Sequence, residues 1–433
     1  MNLQHVRELL LYTADSSGYL ETAAQLSEIT DRDELRKKYT LLIHSLIDMA
    51  ETCGFSGNLW HCALTYVLVS HENAYSRSCE IRGGALGGVN AAAIHDLGIF
   101  QEMFTEDFRE IEEITGARMY SLIREYSCRE GDQRRYGRRI RERISGLSEE
   151  LYLAPDVNMF KEKLEEFYRD YGVGRFGLHK AFRVQSGSDG ARIVPIENIA
   201  RVSLDDLVGY EIAKKKLIDN TEAFVAGRKA NNCLLFGDAG TGKSSSVKGI
   251  LNRYYDRGLR IIEIYKHQFR DLNDVISQIK NRNYRFIIYM DDLSFEEFET
   301  EYKYLKAVIE GGLEKKPDNI LIYATSNRRH LIRENYSDKE DIRQDMHTSD
   351  TVQEKLSLVH RFGVTIYFGS PDKKEFQNIV RVLAQRAGIR MPEEQLLLEA
   401  NAWELQHGGL SGRTAQQFID YLLGMEHLPQ GQA

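Results

Sequence analysis

Gly237-Asp238-Ala239-Gly240-Thr241-Gly242-Lys243-Ser244 stands directly after the apolar run Cys233–Phe236 and opens, through Ser245, into a helical pattern. The spelling G-x-x-x-x-G-K-[ST] between a strand and a helix is the one that a phosphate-cradling loop requires. Glycine lets the backbone take positive φ and approach a phosphate with no Cβ in the way. Successive amide groups then face one concavity, and the positive end of the following helix adds to them. Lys243 would place a compact charge on the β- and γ-phosphates, and the Ser244 hydroxyl is a hard oxygen ligand suited to magnesium. The competing reading is a glycine-rich strand-to-helix turn without ligand; the strand and helix on either side argue against it.

Outward from this loop, apolar runs alternate with helical patterns: Leu259–Tyr265, Phe286–Met290, Ile320–Ala324 and Val364–Phe368, with helical stretches such as 271–281 and 296–312 between them. Together with Cys233–Phe236 they predict an α/β fold, a doubly wound parallel sheet of five strands buried on both faces. The run that ends at Met290 is followed by Asp291-Asp292. A carboxylate at the tip of a buried strand near the loop can hold magnesium through its water shell, and a second can polarise an attacking water. Taken alone the pair also reads as a solvated acidic turn. The next run ends in Ala324-Thr325-Ser326-Asn327, where the Asn327 amide can bond a γ-phosphate or orient the water, or simply close a turn.

Residues 1–183 have a different texture. Leu35, Tyr39, Leu42, Leu46, Met49 and Cys53 recur at three- and four-residue steps, as do Leu59, Cys62, Tyr66 and Val69, and the segments Asp107–Cys128 and Met159–Tyr171 are also amphipathic. An all-α domain is expected here. Residues 184–200 mix Gly, Ser, Asp and Pro and read as a linker. The α/β domain then occupies 201–369. Ser370-Pro371-Asp372 supplies a capping hydroxyl, a proline for the first position and an acid in the first turn, so a helical subdomain is expected over 370–433.

Composition narrows the class. In 433 residues, 42% are hydrophobic and 28% charged, an ordinary globular mixture of about 2–3 domains. Six prolines exclude proline-rich and collagenous chains and permit long helices. Five cysteines with no C-x-x-C pair favour a reducing compartment over a disulfide framework. No leader and no stretch of ~18–20 apolar residues is evident, so a cytoplasmic protein with no membrane partner is expected. A net charge of −8 argues against wholesale polyanion binding.

The order of these elements resembles that of an AAA+ ATPase over about residues 201–426. Ser203-Leu204-Asp205-Asp206-Leu207-Val208-Gly209-Tyr210-Glu211 is similar to the family's opening box, which implies that Leu207, Val208 and Gly209 line an adenine pocket. By the same resemblance Asp291 matches the magnesium-coordinating acid and Asn327 the first sensor. Arg361, within Glu354-Lys355-Leu356-Ser357-Leu358-Val359-His360-Arg361-Phe362-Gly363, matches the arginine finger, and Arg413, within Gly409-Leu410-Ser411-Gly412-Arg413-Thr414, the second sensor. The implied cofactors are ATP and Mg²⁺. The implied assembly is a homo-oligomeric ring or filament in which Arg361 acts in trans, on a protein or nucleic-acid client that the sequence does not name. The set TSNRRHL (325–331), EKLSLVHRFG and GGLSGR is most similar to the bacterial ATP-binding proteins labelled domain of unknown function 815.

Two departures from the family pattern bear on activity. Asp291-Asp292 replaces the usual Asp-Glu, and the shorter Asp292 reaches less far. The stretch Leu259–Asn281 carries no aromatic–aliphatic–glycine tripeptide of the kind that grips a threaded polypeptide, which disfavours an unfoldase. The main expectation is an ATPase coupling hydrolysis to remodelling of a partner. The alternatives are a slow nucleotide-dependent switch like a helicase loader, and a small-molecule kinase. Other signals read as structural. Arg129, Arg134, Arg135, Arg138, Arg139, Arg141 and Arg143 are consistent with a phosphate-backbone contact, but Glu130, Asp132 and Glu142 are interleaved with them, which favours a solvated, salt-bridged face. Arg82-Gly83-Gly84-Ala85-Leu86-Gly87-Gly88 has no preceding strand, and His61, Cys62, His71, Cys79 and His95 have no metal-ligand spacing.

Overall fold

Helix α2 (Arg32–Cys53) buries Leu35, Tyr39, Leu42, Leu46, Met49 and Cys53, the face its periodicity marks out. The computed structural model describes residues 3–12, 18–128, 136–187, 190–197, 199–200, 202–295, 301–310, 317–327 and 358–426. By contacts the chain divides into one unit of Met1–Lys180 with Pro195–Asn198 and Asn281–Asn283, and a second of Ala181–Val194, Ile199–Lys280 and Tyr284–Ala433. Among the described residues no helix is long and apolar enough to cross a membrane.

The first unit is helical. Besides α1 (Tyr19–Glu28) and α2 it holds α3 (Leu59–Ser70), α4 (Ala74–Arg82), α5 (Gly88–Phe104), α6 (Arg109–Thr115), α7 (Tyr120–Arg124), α8 (Arg138–Tyr152), α9 (Val157–Tyr171) and α10 (Gly174–Leu178). Helix α3 is buried on nearly every side, and Trp60 at its start donates its indole N–H to the Met103 carbonyl at 2.8 Å. Asp96, fully buried, accepts the main-chain N–H groups of Leu10, Leu11 and Tyr12 and so ties the amino-terminal segment to α5. The expected helix over Asp107–Cys128 is two short ones, because Gly116 in the left-handed region closes α6. Of the arginine cluster, Arg129, Arg134 and Arg135 lie outside the described residues. Arg138 pairs with Glu142, Arg141 bonds the Gly54 carbonyl at the end of α2, and Arg143 lies over the Tyr171 ring.

The second unit is a seven-stranded sheet in the order β2-β1-β4-β5-β6-β3-β7, flanked by helices. Strands β3 (Cys233–Gly237), β4 (Leu259–Glu263), β5 (Arg285–Met290), β6 (Ile320–Ser326) and β7 (Val364–Phe368) are the expected apolar runs, and they pair in parallel. Every residue of β6 is buried, as a strand covered on both faces requires. Helices α11 (Glu211–Val225), α12 (Lys243–Tyr254), α13 (Leu272–Ile279) and α14 (Tyr302–Glu310) lie between or before these strands. Helices α15 (Lys373–Ala387), α16 (Glu393–Gln406) and α17 (Gly412–Glu426) pack around Phe376, Val380, Leu396, Phe418 and Ile419.

Two expectations need correction. The sheet has seven strands because the stretch read as a linker (184–200), with the last residues assigned to the helical domain, forms β1 (Ala181–Gly187) and β2 (Gly190–Pro195). Phe182, Val184, Ala191 and Ile193 alternate inward, a period-two pattern short enough to be masked by the Gly and Ser between them. Pro195 ends β2 at the sheet's edge, where a missing N–H breaks no ladder. Second, Ser370 does not cap α15. Asp372 does, in a reciprocal capping box with Glu375, and Ser370 is engaged elsewhere.

Two substitutions test this packing. Gly237, at φ 136°, ends β3 so close to β7 that a Cβ there would lie 2.0 Å from the Phe368 oxygen. Gly237→Ala should cost about 2–4 kcal/mol, since backbone must move. Gly146→Ala, in an open helical position of α8, should gain about 0.5–1 kcal/mol. Thermal unfolding followed by far-ultraviolet circular dichroism reads both, and equal effects would contradict the packing.

His61 gives a pH-dependent test. Its ring is buried between Phe104 and Tyr152, at centroid distances of 5.2 and 4.6 Å. Burial pulls its pKa down to about 4. Below pH 6.5 the unfolded chain takes up a proton that the folded one refuses, so stability falls with pH until about 4. From pH 7 to pH 5 the helical unit should lose about 2 kcal/mol more in the wild type than in His61→Gln. Trp60 fluorescence in a Trp403→Phe background follows this unit, and parallel pH profiles would refute the assignment.

Candidate nucleotide-binding site

The phosphate-type loop leaves the sheet where Gly237 ends β3, and the Asp238 N–H donates to the Phe368 carbonyl at 3.0 Å. Gly242, at φ 90°, is the N-cap of α12 and offers no capping side chain, so the first amides of that helix have no side-chain acceptor at the cap. They face the loop with the helix's positive end behind them. Lys243 is 7% exposed, and its ammonium donates to the carbonyls of Gly237 and Asp238 at 2.8 and 2.5 Å. Burial, helped by the charge of Arg413, holds its pKa below the ordinary lysine value against the pull of Asp238, Asp292 and Asp291. The Asp238 carboxylate is turned away from the cleft and accepts both the N–H and the hydroxyl of Ser370 at 2.8 and 3.0 Å.

The two acids follow β5 directly. One oxygen of Asp291, Oδ1, accepts three hydroxyls: Ser244 at 2.7 Å, Tyr289 at 2.6 Å and Thr325 at 2.5 Å. Burial works to raise this carboxyl's pKa, and the hydroxyls of Thr325, Tyr289 and Ser244 outweigh it, leaving it below the usual value. Asp292 sits at φ 49°, a left-handed conformation that a non-glycine residue adopts at a cost of about 1–2 kcal/mol. The Asn327 amide donates to its Oδ1 at 2.8 Å. The Ser244 hydroxyl and the Asp291 carboxylate lie within hydrogen-bond reach of one another, and both are hard oxygen donors, so this donor set fits magnesium. The uncapped α12 amides and Lys243 fit a polyphosphate.

A cavity of about 570 Å³ joins these groups to the opposite wall. Leu207, Val208 and Tyr210 form an apolar side with Ile379 and Leu383 of α15. Lys214 donates to the Leu207 carbonyl at 2.8 Å, and Arg386 of α15 grips the carbonyls of Asp205 and Asp206 at 2.8 and 2.9 Å. The Tyr210 hydroxyl donates to the Gly369 carbonyl at 3.0 Å, and burial pushes its pKa up to about 12. Arg413 borders the cavity at the start of α17, and its N–H donates to the Gly240 carbonyl at 3.1 Å.

Of the residues singled out from sequence, the cavity brings together Leu207, Val208, Ala239, Gly240, Thr241, Gly242, Lys243, Ser244, Ser245, Asp291, Asp292, Asn327 and Arg413. Gly209, Gly237, Asp238 and Arg361 are not on its walls. Gly209 and Gly237 shape the backbone at positive φ, and Arg361 is half-buried just before β7. Arg328 and Arg329 lie outside the described residues. Sequence reasoning missed Thr325, Tyr289, Tyr210, Ile379, Leu383 and Arg386. Tyr289 and Thr325 had a signal, since each lies near the end of a strand two positions before a flagged residue. Ile379 and Leu383 carried no signal beyond ordinary helical periodicity.

A family described as "Protein of unknown function (DUF815)" matches residues 177–426, a span that includes β1 and β2. The replication factor C large subunit of Methanococcus maripaludis is 36% identical over 85 residues, which is 19% of this chain and 16% of that protein. The same subunit of Methanococcus vannielii is 34% identical over 84 residues, again 19% and 16%. The chain thus spans about a sixth of the length of these curated relatives. Among solved structures, a RuvB variant of Thermotoga maritima aligns with 52% of this chain and 67% of its own, at 17% identity and a TM-score of 0.38. The Thermotoga maritima RuvB Holliday junction branch migration motor aligns with 51% and 72%, at 14% identity and a TM-score of 0.32. The family match covers more than half of the chain, which is therefore a member of the family described as DUF815.

Proposed function

We propose that this chain binds Mg²⁺-ATP in the cleft and hydrolyses it, coupling turnover to a conformational change that remodels a partner. What carries the reading is the convergence in one cavity of the loop amides, Lys243, the Ser244–Asp291 oxygen pair, Asp292 with Asn327, and Arg413. Leu207, Val208, Tyr210, Ile379 and Leu383 take the base on the apolar wall. The loop amides and Lys243 bind the β- and γ-phosphates, and Ser244 and Asp291 hold the magnesium. The metal supplies charge neutralisation of the phosphoryl oxygens. Asp292, oriented by Asn327, accepts the proton of the attacking water, and Arg413 stabilises the γ-phosphoryl charge from the lid side. Arg361 stands off the cavity walls of its own copy, which supports its acting in the site of a neighbouring subunit in a ring or filament. The domain plan that goes with this is an amino-terminal helical unit recognising the partner, an α/β nucleotide-binding unit, and a helical lid from residue 370.

A second reading, a slow nucleotide-dependent switch, is favoured by one observation. Asp292 is one methylene shorter than a glutamate, and its Oδ1 is engaged by Asn327 at 2.8 Å. That hydrogen bond draws charge from the carboxylate and makes it a weaker base towards a water at its other oxygen.

Turnover and binding separate these cases. Lys243→Ala should weaken Mg²⁺-ATP binding about 10- to 100-fold, the range for a lost charged hydrogen bond of 1.5–3 kcal/mol. Arg361→Ala should bind ATP like the wild type yet lose about 10³-fold or more in kcat, as expected for an arginine finger. Phosphate release and calorimetric titration are the measurements. Wild-type protein that binds ATP but releases almost no phosphate favours the switch, and wild-type protein that takes up no nucleotide with magnesium removes both readings.

A further inference from the structure

We propose that Thr325 is a positioning residue that sets both carboxylates of the Asp291–Asp292 turn, with Tyr289 supporting it on the metal side. The inference rests on the nucleotide-binding reading above and deepens it. Thr325 lies near the end of β6 and is 1% exposed. Its hydroxyl donates its one proton to Asp291 Oδ1 at 2.5 Å and accepts the N–H of Asp292 at 2.9 Å. A hydroxyl has one proton and two lone pairs, so the two bonds are mutually compatible. Its main-chain carbonyl also accepts the N–H of Leu293 at 2.7 Å. One residue therefore grips three consecutive positions of the neighbouring turn, including Asp292, which with Tyr210 is one of two left-handed non-glycine residues among the described ones lining this cleft.

The consequence for the two acids differs. For Asp292 the grip is on the backbone: it offsets the strain at φ 49° and so fixes where the carboxylate leaves the chain. For Asp291 the grip is on the side chain. Tyr289, 5% exposed, stands two residues earlier on β5 and donates to the same Oδ1 at 2.6 Å. With Thr325 and Tyr289 both on Oδ1, rotation of the carboxylate costs two charge-assisted hydrogen bonds, and Oδ2 keeps one direction. Ser244, the third donor, gives Asp291 its proton while its oxygen lone pairs stay available to a cation. Partners of this kind, which orient a metal ligand without touching the metal, typically alter metal affinity or activity 10- to 100-fold when removed.

The test uses the full chain with Thr325→Val, Thr325→Ser and Tyr289→Phe. Binding of a fluorescent ATP analogue is measured in EDTA and then against rising Mg²⁺. Mn²⁺ uptake by the nucleotide-bound protein is read by electron paramagnetic resonance, and kcat is measured separately. Thr325→Val should raise the apparent Mg²⁺ and Mn²⁺ constants about 10-fold or more and lower kcat even at saturating metal, with nucleotide affinity in EDTA unchanged within about twofold. Thr325→Ser, which keeps the hydroxyl, should restore both within about threefold of the wild type. Tyr289→Phe should raise the metal constant. A metal dependence in Thr325→Val equal to the wild type overturns the proposal. So does a Thr325→Ser variant as impaired as Thr325→Val, or an equal loss of EDTA binding, which would mark a packing role. Wild-type protein that shows no nucleotide uptake under either condition brings down the underlying reading itself, and this inference with it.

Discussion

Strand β3 is hydrogen-bonded along both edges, to β6 from Cys233↔Tyr323 to Phe236↔Ser326 and to β7 from Cys233↔Val364 to Gly237↔Phe368. A strand held in two ladders cannot slip without exchanging its buried faces, so the peptide group at its end is fixed in space. The loop that follows inherits that fixity. Gly237 lies against Phe368 where no Cβ fits, the chain turns, and the amides before α12 gather at one point. Every candidate role in the cleft is measured from that point. β6, lying between β3 and β5, brings Thr325 to the Asp291–Asp292 turn, and Ser244 on α12 reaches the same carboxylate from the other side.

The opposite wall is held differently. Helices α15 to α17 share a core of their own, and polar links join their side of the cleft to the loop side. Ser370 is tied to Asp238, Arg386 to the carbonyls of Asp205 and Asp206, and the Arg413 amide to Gly240. Each such bond contributes about 0.5–1.5 kcal/mol. A sheet that cannot shift register thus faces a helical wall joined to it, among the described residues, by these polar links and by Val208 packed against the wall's own core. That asymmetry suits a cleft whose contents decide how tightly the wall is held.

Much of this was legible in the residues. The loop spelling, the five apolar runs and the acid pair carry local signals, because a phosphate cradle and a buried parallel strand each demand particular side chains at fixed spacing. What escaped has a common cause. The hairpin strands β1 and β2 bury only Ala181, Phe182 and Val184, and Ala191 and Ile193, and Gly and Ser at their junction read as a connector. Ser370 looked like a cap because capping residues are recognised by type. Whether Ser370 or Asp372 closes the helix depends on which backbone N–H lies in reach, and Asp238, 132 residues earlier, had already engaged Ser370.

Amino-acid order alone determined the elements and the chemistry of the loop: glycines where Cβ is excluded, a lysine and a serine at the helix start, and two carboxylates after a buried strand. It could not say that Thr325 holds both acids, that Arg386 clasps the segment before Leu207, or that Ile379 and Leu383 join Val208 on the apolar side of a cavity. Those facts belong to pairs of residues tens to almost two hundred positions apart. Such contacts arise only when the sheet's strand order and the return of α15 bring them within a few ångströms. Periodicity records which face of an element is buried, and tertiary folding decides what that face meets.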